Sequence, residues 1–306
     1  MKVVRKHGKV YMEKGLRAGV IWFPLLLITP AVLNFIVFWV VPNANSIILS
    51  FKDIDDTWTL GNYKWVIQDL FSSSSMYFQV ALRNTMIYFF VSYFITQTFC
   101  VVLAYFIYKK ILFAPFFRFV LYMPNMFSAI ILVSIYKNIL GFEGPVITAL
   151  YNWGWIDEPI SLFTTNGYAM AVSVGYSLWV GVGGVFLWAS GAMARIPKDL
   201  FEAASLDGIK PFQEFIYITL PMISGTLSTL YIIGMAGILG AGGATLYLTY
   251  GDYGTNTLSF WIWKQVYTGG GYGTSSALGI LMTLVSLPLV FFVKWLSNRI
   301  SPEVSY

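Results

Sequence analysis

The chain has 306 residues, of which 57% are hydrophobic and only 11% are charged. Such an apolar composition excludes a soluble globular domain and indicates an integral membrane protein. The formal net charge of +5 is compatible with a nucleic-acid binder, but in a membrane protein an excess of Lys and Arg more often marks the cytoplasmic loops.

The first 17 residues form a basic tail in which Glu13 is the one acidic residue. This excess of positive charge predicts a cytoplasmic N-terminus. The apolar run at 18–41 has the length of about 20 residues that a membrane-crossing helix needs. It is longer than the apolar core of a signal peptide, and no small-x-small cleavage site follows it. We therefore predict an uncleaved anchor as the first span.

The rest of the chain alternates between apolar runs and polar loops. Residues 42–83 carry more acidic than basic side chains and are predicted to lie outside, whereas Lys109, Lys110 and Arg118 mark a short inner loop. Acidic residues without Lys or Arg place 141–167 outside again. Five further spans are predicted at 84–108, 119–140, 168–193, 222–247 and 275–295. Six spans place both termini in the cytoplasm.

A polar hairpin at 195–221 lies between the fourth and fifth predicted spans. Pro197 suits the first turn of a helix, Asp207-Gly208 breaks that helix, and Pro211 starts a second short helix. Phe212, Phe215 and Ile216 are expected to form an apolar stripe, and Leu220-Pro221 to end the second helix. Alternation of the spans places this hairpin in the cytosol. An ordinary amphipathic loop on the membrane surface would show a similar pattern of helices.

The order of residues in the hairpin is more specific than its helices. Glu202-Ala203-Ala204, Asp207-Gly208 and Ile218-x-Leu220-Pro221 together resemble the EAA loop of the permease subunits of binding-protein-dependent ABC importers. Trp179-x-Gly181 and the segments 196–201 and 273–277 resemble the carbohydrate branch of that family, the MalF-like permeases. The resemblance implies an all-α protein of six spans in the type I importer (MetI-like) architecture, with one permease domain from 18 to 306.

The resemblance also implies the function and the partners. The expected function is ATP-driven import of a carbohydrate, an oligosaccharide in particular, through a pathway of which this chain forms half. Expected partners in the cytoplasmic membrane are a second homologous permease, two ATPase subunits and an extracytoplasmic solute-binding protein. The ATPases would bind ATP and magnesium and would dock on the hairpin. The contacts implied there are those of Glu202, Ala203, Ala204, Asp207, Gly208, Leu220 and Pro221.

Substrate-pathway residues follow from the same resemblance. On the fourth span Trp179 is the first candidate, with Ser177, Gly181 and Gly184 beside it. On the fifth span MalF-like permeases carry asparagines and a phenylalanine, whereas Gly234, Gly237, Ile238 and Ala241 stand here. These small residues either let helices approach closely or widen a cavity for a larger oligosaccharide. A third interpretation is that the second permease holds most of the substrate.

Other classes of protein fit the sequence less well. No phosphate-binding P-loop motif is present, so the energy source must be a partner. The one histidine, His7, and the one cysteine, Cys100, cannot form a catalytic triad or a metal site, so we expect neither enzyme activity nor a cofactor in this chain. No span carries an ionisable residue at its centre, which disfavours proton-coupled carriers. An ABC permease for another small polar solute, or less readily an ATP-independent carrier, remains open.

Overall fold

The structure is a computed structural model that describes residues 4–6, 9–11, 14–71, 76–240, 242 and 244–300. A short antiparallel hairpin in the basic tail pairs Val4–Lys6 with Lys9–Tyr11. The rest of the described structure is built from helices and connecting turns. His7 and Ala241, which the sequence analysis singled out, lie outside the described residues.

The helices are numbered in chain order. Their bounds are α1 Lys14–Phe35, α2 Val41–Ser50, α3 Gly61–Phe71, α4 Met76–Phe90, α5 Gln97–Tyr108, α6 Ala114–Tyr122, α7 Ala129–Leu140, α8 Pro145–Asn152, α9 Tyr168–Met193, α10 Lys198–Leu206, α11 Pro211–Glu214, α12 Leu220–Met222, α13 Ser224–Ala236, α14 Thr245–Leu248, α15 Leu258–Tyr267 and α16 Tyr272–Ile300. Among the described residues, five helical stretches are long and apolar enough to cross a membrane, or six if the bent pair Pro211–Met222 and Ser224–Ala236 counts as one span.

Two predicted spans are confirmed closely. The fourth span, predicted at 168–193, is the single helix α9. The sixth, predicted at 275–295, is α16, which extends a few residues further at each end. Both are long and predominantly apolar, with the length that a membrane-crossing helix needs, and α16 continues through Pro288.

The first two spans are longer than predicted. A π-helical segment, Ile36–Val40, joins α1 to α2, so the first helix continues to Ser50 instead of ending at 41. Asn43 lies within this helix, and its side-chain amide donates to the Trp39 carbonyl at 2.7 Å. The second span, Tyr77–Tyr108, begins before the predicted residue 84. Its polar Asn84 is buried and donates to the carbonyls of Gly254 and Asn256.

The third and fifth predicted spans are broken helices, and the prediction of one continuous helix for each was wrong. The third divides at 123–128, where a 3₁₀ turn containing Pro124 ends α6, and Ser128 then caps α7. The fifth bends by 74° between α12 and α13. It then loses its helix in the glycine-rich stretch after Ala236, where glycine weakens helical structure.

Three buried clusters hold the helices together. One joins α5 and α9 to Ile223 at the hairpin end of the molecule. A second packs α3, α4, α15 and α16, and the third packs α7, α9 and α14. The first span lies outside all three clusters. The side chains from Trp22 to Asn45 are exposed in the isolated chain, and α2 packs along α16.

Candidate functional site

The hairpin at 195–221, called the coupling hairpin below, presents most of its predicted contact residues on its surface. Glu202, Ala203, Asp207 and Gly208 are exposed, as is Pro221. Ala204 is buried, and Leu220 is half-buried. Large apolar side chains protrude among these residues, and the most exposed are Leu206 at 88% and Phe212 at 73%. A surface that carries exposed charges of both signs and protruding apolar groups suits contact with another protein.

The second half of the coupling hairpin differs from the prediction in its apolar stripe and agrees with it on where the helix ends. Phe215 packs on the Tyr105 ring with a centroid distance of 4.9 Å, but Phe212 is exposed, so the predicted apolar stripe is not continuous. A π-helical segment, Phe215–Thr219, continues this helix into α12. The helix ends at Met222, one residue beyond Leu220-Pro221, and the chain then bends by 74° into α13, which confirms the predicted end.

The coupling hairpin is anchored to the C-terminal end of α5 by a buried acid. The Glu214 side chain is only 10% exposed, and a carboxylate oxygen lies 2.7 Å from the ammonium nitrogen of Lys109. The Tyr105 hydroxyl donates to the Pro211 carbonyl at 2.8 Å and lies 3.3 Å from Glu214 Oε1. A displacement of α11 is therefore expected to displace the end of α5.

The other helix of the hairpin contacts the same end of α5. The Lys109 ammonium lies 5.0 Å from the centre of the Phe201 ring, within the range of a cation–π contact. The Tyr108 ring packs on Phe201 with a centroid distance of 5.6 Å. Lys109 thus contacts both α10 and α11, and these two helices are held together at one point.

A cavity of about 400 Å³ lies among the second span, α9 and the glycine-rich region after α13. The sequence-predicted residues Ser177, Gly181, Gly234 and Gly237 line it. The side chains that the second span supplies were not predicted from the sequence. They are Tyr88, Phe89, Ser92, Tyr93 and Gln97.

Gln97 is the most informative of the residues that were missed. Its side chain is 7% exposed, and its amide nitrogen donates to the Leu230 carbonyl at 3.3 Å. Its buried amide oxygen has no hydrogen-bond partner in the described structure. Buried polar atoms normally have partners, so this unpaired oxygen is unusual for a residue that lines the cavity. A glutamine within an apolar span was the sequence signal that could have drawn attention to it.

Trp179, the first sequence candidate, is not brought into this cavity. Its ring stacks on Tyr136 with a centroid distance of 5.9 Å and meets Tyr176 at 6.1 Å. It therefore belongs to the packing between α9 and α7. Gly184 lies beside Asn125 of the break between α6 and α7, and Ile238 is buried but does not line the cavity.

The two interpretations of the small residues each apply at a different position. A Cβ on Gly234 would lie 2.2 Å from the amide nitrogen of Gln97, so glycine permits close approach of α13 and the second span there. A Cβ on Gly237 would meet nothing within 4 Å, and this residue lines the cavity. Gly234 therefore serves packing, whereas the absence of a side chain at Gly237 widens the cavity.

The family to which this chain belongs is shown by a match over two thirds of its length. Residues 102–305 match the model of the family described as "Binding-protein-dependent transport system inner membrane component". This chain belongs to that family. The match includes the coupling hairpin, and it confirms the resemblance inferred from the EAA-like residues.

Two curated relatives resemble nearly the whole permease. A probable ABC transporter permease protein, MG188, of Mycoplasma genitalium is 27% identical, with 91% of this chain and 88% of the relative covered. The arabinooligosaccharides transport system permease protein AraP of Bacillus subtilis is 28% identical, with 92% and 90% covered.

A solved structure confirms the fold of the permease. It is a chain of a bacterial ABC transporter involved in the import of the acidic polysaccharide alginate, and it superposes with a TM-score of 0.81 at 23% identity. The superposition covers 94% of this chain and 99% of the other. Both share the helical permease fold, which confirms the predicted fold class.

Proposed function

We propose that this permease imports an uncharged oligosaccharide as half of an ATP-driven translocation pathway. The observation that carries the proposal is the cavity between the second span and α9. Its described lining contains hydroxyl, amide and aromatic groups and no Asp, Glu, Lys, Arg or His. Neutral, hydroxyl-rich solutes are bound by such groups without charged residues. The name of the AraP relative, an arabinooligosaccharide permease, supports the same class of cargo.

The proposed complex contains the partners that the resemblance implies. They are a second permease, two ATPase subunits that bind ATP and magnesium, and an extracytoplasmic binding protein. The exposed first span gives a second permease apolar surface to cover, and the exposed side chains of the coupling hairpin give the ATPase a surface to dock on. No catalytic group is needed in this chain, because its part is to bind the cargo and transmit movement.

The second span connects the coupling hairpin to the cavity. Lys109 and Tyr105 contact Glu214 at one end, whereas Gln97 and Tyr93 line the cavity further along. The separation from Gln97 to Lys109 corresponds to about 18 Å of helix at 1.5 Å per residue. Closure of the ATPase pair would move the coupling hairpin, and the anchor at Glu214 would transmit that movement to the second span.

The experiment that tests the function is reconstitution of the permease with its ATPase, its second permease and its binding protein in liposomes. Stimulation of ATP hydrolysis is measured with neutral oligosaccharides, with uronic-acid oligosaccharides and with a polyamine. We expect neutral oligosaccharides to stimulate hydrolysis and to accumulate inside. Stimulation by the charged solutes alone would overturn the cargo class, and accumulation without ATP would indicate an ATP-independent carrier.

Gly208→Val is expected to uncouple transport from hydrolysis. Gly208 has φ +71° with open space around its Cβ position, so valine would clash with its own backbone and not with a neighbour. The strain is about 1–2 kcal/mol for a residue with a Cβ in this region. Asn tolerates this conformation better, so Gly208→Asn is the matched control. The ratio of solute imported to ATP hydrolysed should fall in the valine variant and remain near wild type in the control.

A further inference from the structure

A second cavity, of about 610 Å³, lies where the end of α5 meets α6 and α9. Lys110 lines this cavity, and the preceding residue, Lys109, forms an ion pair with Glu214 of the coupling hairpin. The cavity therefore lies at the end of the molecule that carries the hairpin. We call it the basic groove. The cargo cavity is lined by a different set of residues.

The basic groove has two cations and no anion. Lys110 and Arg118 line it, and both are exposed. Neither takes part in the salt bridges of the described chain, whereas the neighbouring Lys109 is paired with Glu214. No Asp or Glu is present among the lining residues of the groove. Two uncompensated positive charges at the cytoplasmic end of the spans attract an anion.

The walls of the groove are apolar, which limits the kind of anion. Ile107 of α5 and Ile111 of the following turn form one side, and Phe113, Phe119 and Leu187 complete much of the wall. A free inorganic anion would gain nothing from these walls. A ligand with an anionic head and a hydrocarbon chain would satisfy the cations and the apolar wall together.

We propose that the basic groove binds an anionic phospholipid of the cytoplasmic leaflet. Its phosphate lies against Lys110 and Arg118, and an acyl chain runs along the wall formed by Ile107, Phe113 and Phe119. This binding site goes beyond the transport function, because the lipid is a structural partner and not the cargo. The proposal depends on the charge complementarity between the phosphate and the two cations, together with the apolar wall.

The test is lipid binding to the assembled transporter, measured by native mass spectrometry after delipidation in a neutral detergent. Phosphatidylglycerol and phosphatidylcholine with the same dioleoyl chains are titrated, and inorganic phosphate is added as a competitor. The variant is the double replacement Lys110→Gln, Arg118→Gln. Because each juxtamembrane cation contributes about fivefold to the affinity for an anionic lipid, the double variant should bind phosphatidylglycerol more than tenfold more weakly.

Arg299→Gln is the matched control, because Arg299 is an exposed cation in the last turn of α16 that lies against Trp295 and is not among the lining residues of the groove. We expect one preferred phosphatidylglycerol per copy of this permease, unaffected by Arg299→Gln and by millimolar phosphate. A Lys110→Arg, Arg118→Lys variant keeps both charges and should keep the lipid. Equal binding of the two lipids, competition by phosphate, or equal losses in the double variant and the control would each overturn the proposal.

Discussion

Lys109→Met should destabilise the transporter more than any other single loss of charge in the described chain. It leaves the Glu214 carboxylate, which is 10% exposed, without its cation. Removing one partner of a buried ion pair costs about 3–5 kcal/mol, and the 35% exposure of the Lys109 side chain places the expected cost at the lower end. The Tyr105 hydroxyl remains beside Glu214 but carries no full charge. The melting temperature of the purified complex and the ratio of transport to ATP hydrolysis measure the effect.

Two controls separate the anchor from a general loss of charge. Adding Glu214→Leu to Lys109→Met removes the buried carboxylate as well, and replacing both partners by apolar residues is often close to neutral. The double variant should therefore recover most of the stability while coupling stays impaired. Lys52→Met breaks an exposed pair with Asp56, whose side chain is 79% exposed, and should cost no more than about 1 kcal/mol. Equal losses in Lys109→Met and Lys52→Met would contradict the assignment of Glu214 as a buried anchor.

Much of the fold could be predicted because apolar runs and charged loops leave clear marks in the sequence. The span at 168–193 is bounded by Gly167 and by the basic start of the coupling hairpin, and it forms one helix within the predicted limits. The turn at Asp207-Gly208 was also predictable, since a glycine with positive φ ends a helix.

The broken helices could not be predicted from apolarity alone. A membrane segment remains equally apolar whether its helix is continuous or divided, and the freed backbone groups are satisfied by neighbours that the sequence does not identify. Pro124 and the glycines after Ala236 were visible, but proline and glycine are also tolerated in continuous membrane helices. The first helix continues through the polar segment around Asn43, whose side-chain amide bonds to the Trp39 carbonyl within the helix, and composition does not reveal this contact.

The orientation of each helix limited the prediction of the cargo site. α9 is apolar on all sides, so its sequence does not indicate which face lines a cavity. Ser177 and Trp179 are separated by about 200° around the helix, at 3.6 residues per turn, and so cannot both line the same cavity. The structure places Ser177 in the cavity and Trp179 against Tyr136. The residues of the second span that line the cavity could not be predicted either, because tertiary packing decides which face of that helix meets α9.

Gly237→Phe is expected to block transport while leaving the complex assembled. A Cβ at this position meets nothing within 4 Å, and the residue lines the cavity of about 400 Å³. A benzyl group there fills space that the cargo needs, and reshaping a binding pocket changes the rate for a substrate by about tenfold or more. We expect uptake of the cognate oligosaccharide to fall by at least this factor. The melting temperature and the basal ATP hydrolysis should change little, because the side chain enters open space.

Substitutions at two other glycines serve as controls, because they show whether an effect of Gly237→Phe comes from the cavity or from the loss of any glycine. Gly191→Phe adds the same group to α9 in open space outside the cavity and should leave uptake intact. Gly234→Ala adds one methyl group against the end of the Gln97 side chain and should lower stability by about 1 kcal/mol, the low end of the cost of overpacking, because that flexible end can move. Normal uptake by Gly237→Phe would mean that the cargo passes without using this cavity and is held by the second permease. A loss of uptake with normal stability would instead require the cargo to pass between the second span and α9, beside the buried oxygen of Gln97.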